Sequence, residues 1–272
     1  MVVTAATLNS LQALLLVKYG WANYGISQYL KAGAWVSHLW FMINLLIYHL
    51  VAYAMIGWFG KGTRAAGRVA AHLLSSLPLW TWLVLLPLLN VLAVMIAHFL
   101  PGPGVWSMGA LDPRSLLYYF PFFAIGALLH ERRALLLRFC AMRSLRIASW
   151  FVISWPLAYV SRDWLDGMLL GVMTVYLEAL TAWAGVALCF NVFSLAAPAT
   201  TRLTRKLSDA SYTVYLFHHL LVVIFGLMMI NLRIGGTLGL LALVTVVVAS
   251  ALMIHHYVIS PYRVMRFLFN GK

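Results

Sequence analysis

Long apolar runs recur along the whole chain, broken by short segments that hold most of its arginines, lysines and prolines. A helix rises 1.5 Å per residue, so crossing a hydrocarbon core of about 30 Å takes about 20 residues. Seven runs qualify, approximately 38–59, 73–100, 115–130, 146–161, 168–196, 211–231 and 237–260. The third and fourth are the shortest and carry Pro121 and Pro156, each of which removes a backbone donor from a helix interior. No fixed-period repeat, low-complexity stretch or long linker divides them. The pattern predicts an all-α, polytopic transmembrane bundle of about seven spans over residues 38–272. Residues 1–37 precede it as an interfacial segment in which Tyr19, Trp21, Tyr24, Tyr29 and Trp35 alternate with polar positions.

One run departs from the others. Leu207 to Ile224 opens with Ser208 and Asp209, both able to cap a helix N-terminus, and then carries polar groups inside an apolar stretch. At 3.6 residues per turn, Ser211, Tyr215 and His218 share one face, and Tyr212 and His219 share a second about 100° away. Lipid offers such groups no partner, so they must pair within the bundle or line a wet cavity.

Composition settles the solvent. The chain is 64% hydrophobic and 9% charged, with mean hydropathy +0.91, which excludes an ordinary soluble domain. A net charge of +13 would point to nucleic acid in a soluble protein, but here the cations cluster between apolar runs. Segment 60–72 holds Lys61, Arg64 and Arg68; 131–145 holds Arg132, Arg133, Arg138 and Arg143; 201–207 holds Arg202, Arg205 and Lys206; the tail adds Arg263, Arg266 and Lys272. Segments 101–114, 162–167 and 232–236 carry only Arg114, Arg162 and Arg233. The positive-inside rule then places the four basic segments and the C-terminus in the cytoplasm and assigns the charge to topology and anionic lipid, not nucleic acid. Seven spans leave residues 1–37 outside, although Met1 to Ser10 has no basic leader and Leu11 to Val17 is too short to span. Cys140 and Cys189 have neither metal spacing nor a disulfide framework, so no metal is expected.

His218 is the leading candidate for chemistry, as a general base or as a donor to a developing oxyanion. The plainer role is an imidazole bonded across helices to hold the bundle. His38, with Trp40 close by, stands at the outer mouth of the first run, where an aromatic belt explains the tryptophan equally well. Glu178, deep in the fifth run, needs a proton or a partner, and His49 is a candidate. Arg114, followed by Tyr118 and Tyr119, is placed to hold an anionic group near the outer surface or to snorkel to lipid phosphate. His255 and His256 read as interfacial. Gly167 with Gly171, and Gly235 with Gly239, have a spacing that lets helices approach closely. No Ser/His/Asp set and no phosphate-cradling glycine loop can be assembled.

Three motifs resemble one family. Ser211-Tyr212-Thr213-Val214-Tyr215-Leu216-Phe217-His218 is similar to the Ser-Tyr-x-x-Tyr-Leu-x-His signature of the acyltransferase family 3 membrane proteins. His38-Leu39-Trp40-Phe41 through Tyr48, and Tyr118 through Ala127, resemble two further segments of that family in the same order. The first of these is closest to the branch linked to succinylation of periplasmic glucans. The resemblance implies a ten-helix bundle of the cell inner membrane that moves an acyl group from cytoplasmic acyl-CoA to a sugar hydroxyl outside, with no bound cofactor. His218 would then be catalytic, with Ser211 and Tyr215 lining the transfer cavity, and His38, Trp40, Arg114 and Tyr118 contacting substrates. The family's Arg-x10-His pair has no counterpart here, so the chain reads as a C-terminal portion expected to be inactive alone. Rival readings are a non-catalytic membrane subunit and a small-molecule transporter, the latter with an inverted repeat that this sequence does not display.

Overall fold

The computed structural model describes residues 4–20, 25, 35–36, 39–100, 111–164, 168–196 and 201–270. The described residues contain helices and no strand. In chain order the α-helices are α1 (Ser10–Lys18), α2 (Trp40–Ser76), α3 (Leu79–Ala97), α4 (Pro113–Glu131), α5 (Arg133–Cys140), α6 (Ser144–Trp164), α7 (Met168–Ala196), α8 (Arg202–Asn231), α9 (Gly236–Ile254) and α10 (Arg263–Asn270). A π-helical turn, Ala5–Asn9, leads into α1, and another, His255–Ile259, follows α9. Five of these helices, α2, α3, α7, α8 and α9, are long and apolar enough to cross a membrane. With α4 and α6 they occupy the positions of the seven predicted runs. Side chains such as Trp58 (81% exposed), Phe99 (86%) and Leu238 (82%) stand on outer surfaces, where lipid rather than water must meet them.

The boundary between the first two runs and the start of α8 differ from the sequence expectation for identifiable reasons. The first run was expected to end at residue 59 in a basic loop, but α2 continues to Ser76 and instead bends at Phe59, where φ/ψ is −124°/29°. Thr63 donates its hydroxyl to the carbonyls of Met55 and Phe59 at 3.1 and 3.0 Å, and the Arg64 guanidinium reaches Gly60 O at 3.0 Å, so carbonyls around the bend are satisfied locally. The Ala- and Arg-rich stretch beyond it is a competent helix former despite its charge. Likewise α8 starts at Arg202, not at Ser208 or Asp209. Thr201 is its N-cap, and Thr201 and Thr204 exchange side-chain-to-backbone bonds in a reciprocal capping box.

The chain divides into two compact units, residues 1–43 with 104–111 and 200–272, and residues 44–103 with 112–199. The second is built on α6 lying along α7, with α3 packed against α7 and α4. Its core joins Trp82, Leu83, Leu86, Ile125, Phe139, Ile147 and Trp183, and Trp183 stacks on Phe122 at 4.4 Å between centroids. Polar side chains tie its helices together. Asn90, fully buried, donates to Tyr118 O at 2.7 Å and accepts from Trp183 Nε1 at 2.9 Å, so one amide joins α3, α4 and α7. Asn191 donates to the carbonyls of Cys140 and Met142, both at 2.7 Å, and accepts from Ser144 Oγ at 2.6 Å, which pins the connection between α5 and α6. The last carbonyls of α2 and its following turn are capped from outside: Arg138 donates to Ser75 O and Leu77 O, and Trp82 Nε1 to Leu74 O at 3.0 Å. In the first unit α8 packs against α9, and α1 and α10 also contact α8. Ala251, Val247 and Leu221 form one apolar cluster there, and Val36, Leu39 and Leu216 another.

Candidate functional site

Helix α8 carries the predicted polar ladder, but its most buried face is a different one. Ala210, Thr213, Leu216 and Leu220 recur at spacings of three and four residues and are buried, whereas Tyr215, His218 and His219 are half-buried and Ser211 is exposed. The ladder therefore runs along the edge of the packed face. Because the helix begins at Arg202, His218 lies about 24 Å along it, near its midpoint.

Each histidine of the pair has a distinct partner. His218 Nδ1 donates to Tyr215 O at 2.7 Å, since a carbonyl oxygen can only accept, and the neutral ring consequently carries its acceptor on Nε2. His219 Nδ1 lies 2.9 Å from Gln12 Oε1 of α1, where it too acts as donor. The Tyr215 ring lies 5.8 Å from the His218 ring and 6.3 Å from Phe41, which in turn meets Trp40 edge-on at 6.1 Å. The structure thus brings Trp40, Tyr215 and His218 into one neighbourhood through Phe41. Ser211 turns its hydroxyl back to Ser208 O at 2.7 Å. His38 lies outside the described residues, although Asn9 holds the carbonyls of Trp35 and Val36, each at 2.9 Å.

Two further participants escaped the sequence reading. Gln12 gave a signal, a lone amide in the apolar stretch Leu11 to Val17. His255 gave less: read as interfacial, it starts the second π-helical turn and its Nδ1 lies 2.8 Å from Thr213 Oγ1, itself fully buried on α8. Single π-turns of this kind are frequent at functional sites.

Arg114 and Tyr118 belong to the second unit. Asp112 caps α4 by accepting from the backbone N–H groups of Arg114 and Ser115 at 3.1 and 3.2 Å, with Pro113 at the first helical position. Tyr118 meets Tyr119 edge-on at 4.8 Å, and Glu178 on α7 is within electrostatic reach of Tyr119. His49 bonds back to Leu45 O at 2.7 Å and meets the Phe123 ring at 5.2 Å. Beside it, Tyr48 donates to Leu116 O at 2.6 Å and Asn44 to Ser115 Oγ at 3.0 Å, fastening α2 to α4.

Helices of this length and apolarity, with a half-buried histidine and tyrosine on one long helix, define a multi-pass membrane protein whose α8 carries a polar track at the edge of its packed face. Comparison with known proteins gives this class a relative. The chain is 25% identical over 290 aligned residues to Glucans biosynthesis protein C of Salmonella schwarzengrund, a match covering 99% of this chain and 72% of that protein. The proteins of the same name from Salmonella heidelberg and Salmonella typhi match with the same identity and coverage. No protein-family model matches the chain, and no solved structure matches it. The chain is thus a distant relative of proteins named Glucans biosynthesis protein C, and the motif resemblance is consistent with that similarity.

Proposed function

We propose that this protein is a membrane O-acyltransferase that takes an acyl group, in the nearest reading succinyl, from cytoplasmic acyl-CoA and esterifies a hydroxyl of an extracytoplasmic glucan or related saccharide. The protein would sit in the cell inner membrane, and the distribution of basic segments supports a cytoplasmic C-terminus. The observation that carries the reading is the His218 bond to Tyr215 O, because it fixes the tautomer that a general base needs, in a chain similar along 99% of its length to a glucan biosynthesis protein. The sugar hydroxyl oxygen attacks the thioester carbonyl while its proton passes to His218 Nε2. Collapse of the tetrahedral adduct breaks the C–S bond, and the departing thiolate takes that proton from the imidazolium, leaving an ester and a thiol. In this reading Tyr215, on the same face of α8, offers its hydroxyl to the oxyanion. Trp40 and Phe41, edge-on to each other, offer an apolar aromatic corner to a sugar ring, with His38 assigned to the acceptor end and Ser211 to the transfer cavity. Arg114 and Tyr118 are not needed for these steps.

His218→Ala, in the protein with whatever sequence its gene places before Met1, is expected to lower acyl transfer to glucan at least tenfold, about 1.4 kcal/mol in barrier. The detergent-extracted variant should keep the helical circular dichroism and elution volume of the parent. Unchanged turnover would reduce His218 to a packing residue and remove the mechanism.

A further inference from the structure

One cavity of the second unit plays no part in the acyl-transfer reading. It lies between the end of α3, the first turn of α4 and the start of α7, with a volume of about 550 Å³, inside the range of about 300–1,000 Å³ common for small-molecule sites. Val91 and Val94 of α3 and Val172 and Val175 of α7 give it aliphatic walls. Its rim is basic: His98 caps the end of α3, and Arg114 sits in the first turn of α4. Val91 is about 10 Å deeper along α3 than His98, so the site grades from a cationic mouth to an apolar floor.

The cation at that mouth is unused. Among the described residues the Arg114 guanidinium makes no ion pair and no hydrogen bond, its backbone N–H alone meeting Asp112. The nearest acid in sequence, Asp112, turns its carboxylate to the backbone N–H groups that it caps. A neutral polar ligand would leave the aliphatic walls poorly filled, and a hydrocarbon would leave the guanidinium unanswered. The complementary occupant has an alkyl chain and an anionic head.

We propose that this cavity binds an anionic amphiphile of the bilayer, its chain between α3 and α7 and its headgroup against Arg114. A phospholipid phosphate and a fatty-acid carboxylate share this chemistry, and the inference is independent of the acyl-transfer reading.

The test is native mass spectrometry of the full chain purified in neutral detergent, titrated separately with phosphatidylglycerol, phosphatidylcholine and oleate. The parent should retain at least one anionic ligand at least tenfold more tightly than phosphatidylcholine, and Arg114→Gln should abolish that preference while Arg263→Gln keeps it. Arg114 is exposed, so the substitution is not expected to disturb folding. Val175→Trp fills the cavity and should remove the tight anionic site with Arg114 intact. Arg114-dependent retention of phosphatidylglycerol alone identifies a phosphate head and of oleate alone a carboxylate head, either of which supports the site. Equal retention of anionic and neutral ligands by the parent, or an anionic preference that survives Arg114→Gln or Val175→Trp, overturns it.

Discussion

The two adjacent histidines of α8 differ in what their Nδ1 atoms meet: His218 bonds within its own helix, and His219 bonds across to Gln12. The first arrangement sets a tautomer from within the helix itself. The second joins two elements and is the plainer, structural use of a histidine. The sequence showed both rings and their faces, but a lone helix cannot say which face its neighbours cover, so the division of labour was not legible. Cysteine chemistry follows from the same local view. Burial pushes the Cys140 thiol up from its ordinary value, which lowers the thiolate fraction at neutral pH. With Cys189 replaced by Ser, Cys140 is expected to react with iodoacetamide at pH 7.5 several-fold more slowly than a cysteine in an unfolded peptide, and the gap should narrow as pH rises. Rates followed by mass spectrometry check this, and equal rates at pH 7.5 would contradict it.

Among the elements, one that sequence placed well is α4, expected over 115–130 and observed over Pro113–Glu131 with Asp112 as its N-cap. Those it placed worst are α2 and α8, where a basic segment was read as a loop although arginine, lysine and alanine favour helix. Cross-helix polar bonds were invisible in the sequence, because Asn90 and Asn191 look like any asparagine in an apolar run until the partner helix is known. Asn90 offers a direct measurement. Asn90→Ala leaves Tyr118 O and Trp183 Nε1 buried with one bond fewer each, and is expected to destabilise the bundle by about 1–3 kcal/mol. Trp183→Phe removes only one of the two bonds while keeping much of the stacking on Phe122. Its polar loss should be about half as large, with any loss of packing added to it. Unfolding in graded dodecyl sulfate, followed by tryptophan fluorescence for Asn90→Ala and by circular dichroism for both, reads these differences. An unshifted midpoint for Asn90→Ala would mean that water or other groups replace the amide.

On the scale of the whole molecule, the alternation of basic and base-poor segments predicts one orientation. Topology reporters fused after Lys61, Arg138 and Arg205 are expected to report cytoplasm, and those after Gly104 and Asp163 the outside. A reversed pair would require a different set of spans. By itself the sequence determined the solvent, the helical class, the approximate position of seven apolar helices and the identity of the polar ladder. These follow from composition and periodicity, which act over distances of one or two turns and are written into neighbouring residues. Only the tertiary structure decided which side of the ladder is covered, that Gln12 and His255 are partners of α8, and that Arg114, without an ion pair among the described residues, stands at the mouth of an aliphatic cavity. Those facts depend on contacts between residues up to 207 positions apart, and no local pattern encodes which distant surface a helix face will meet.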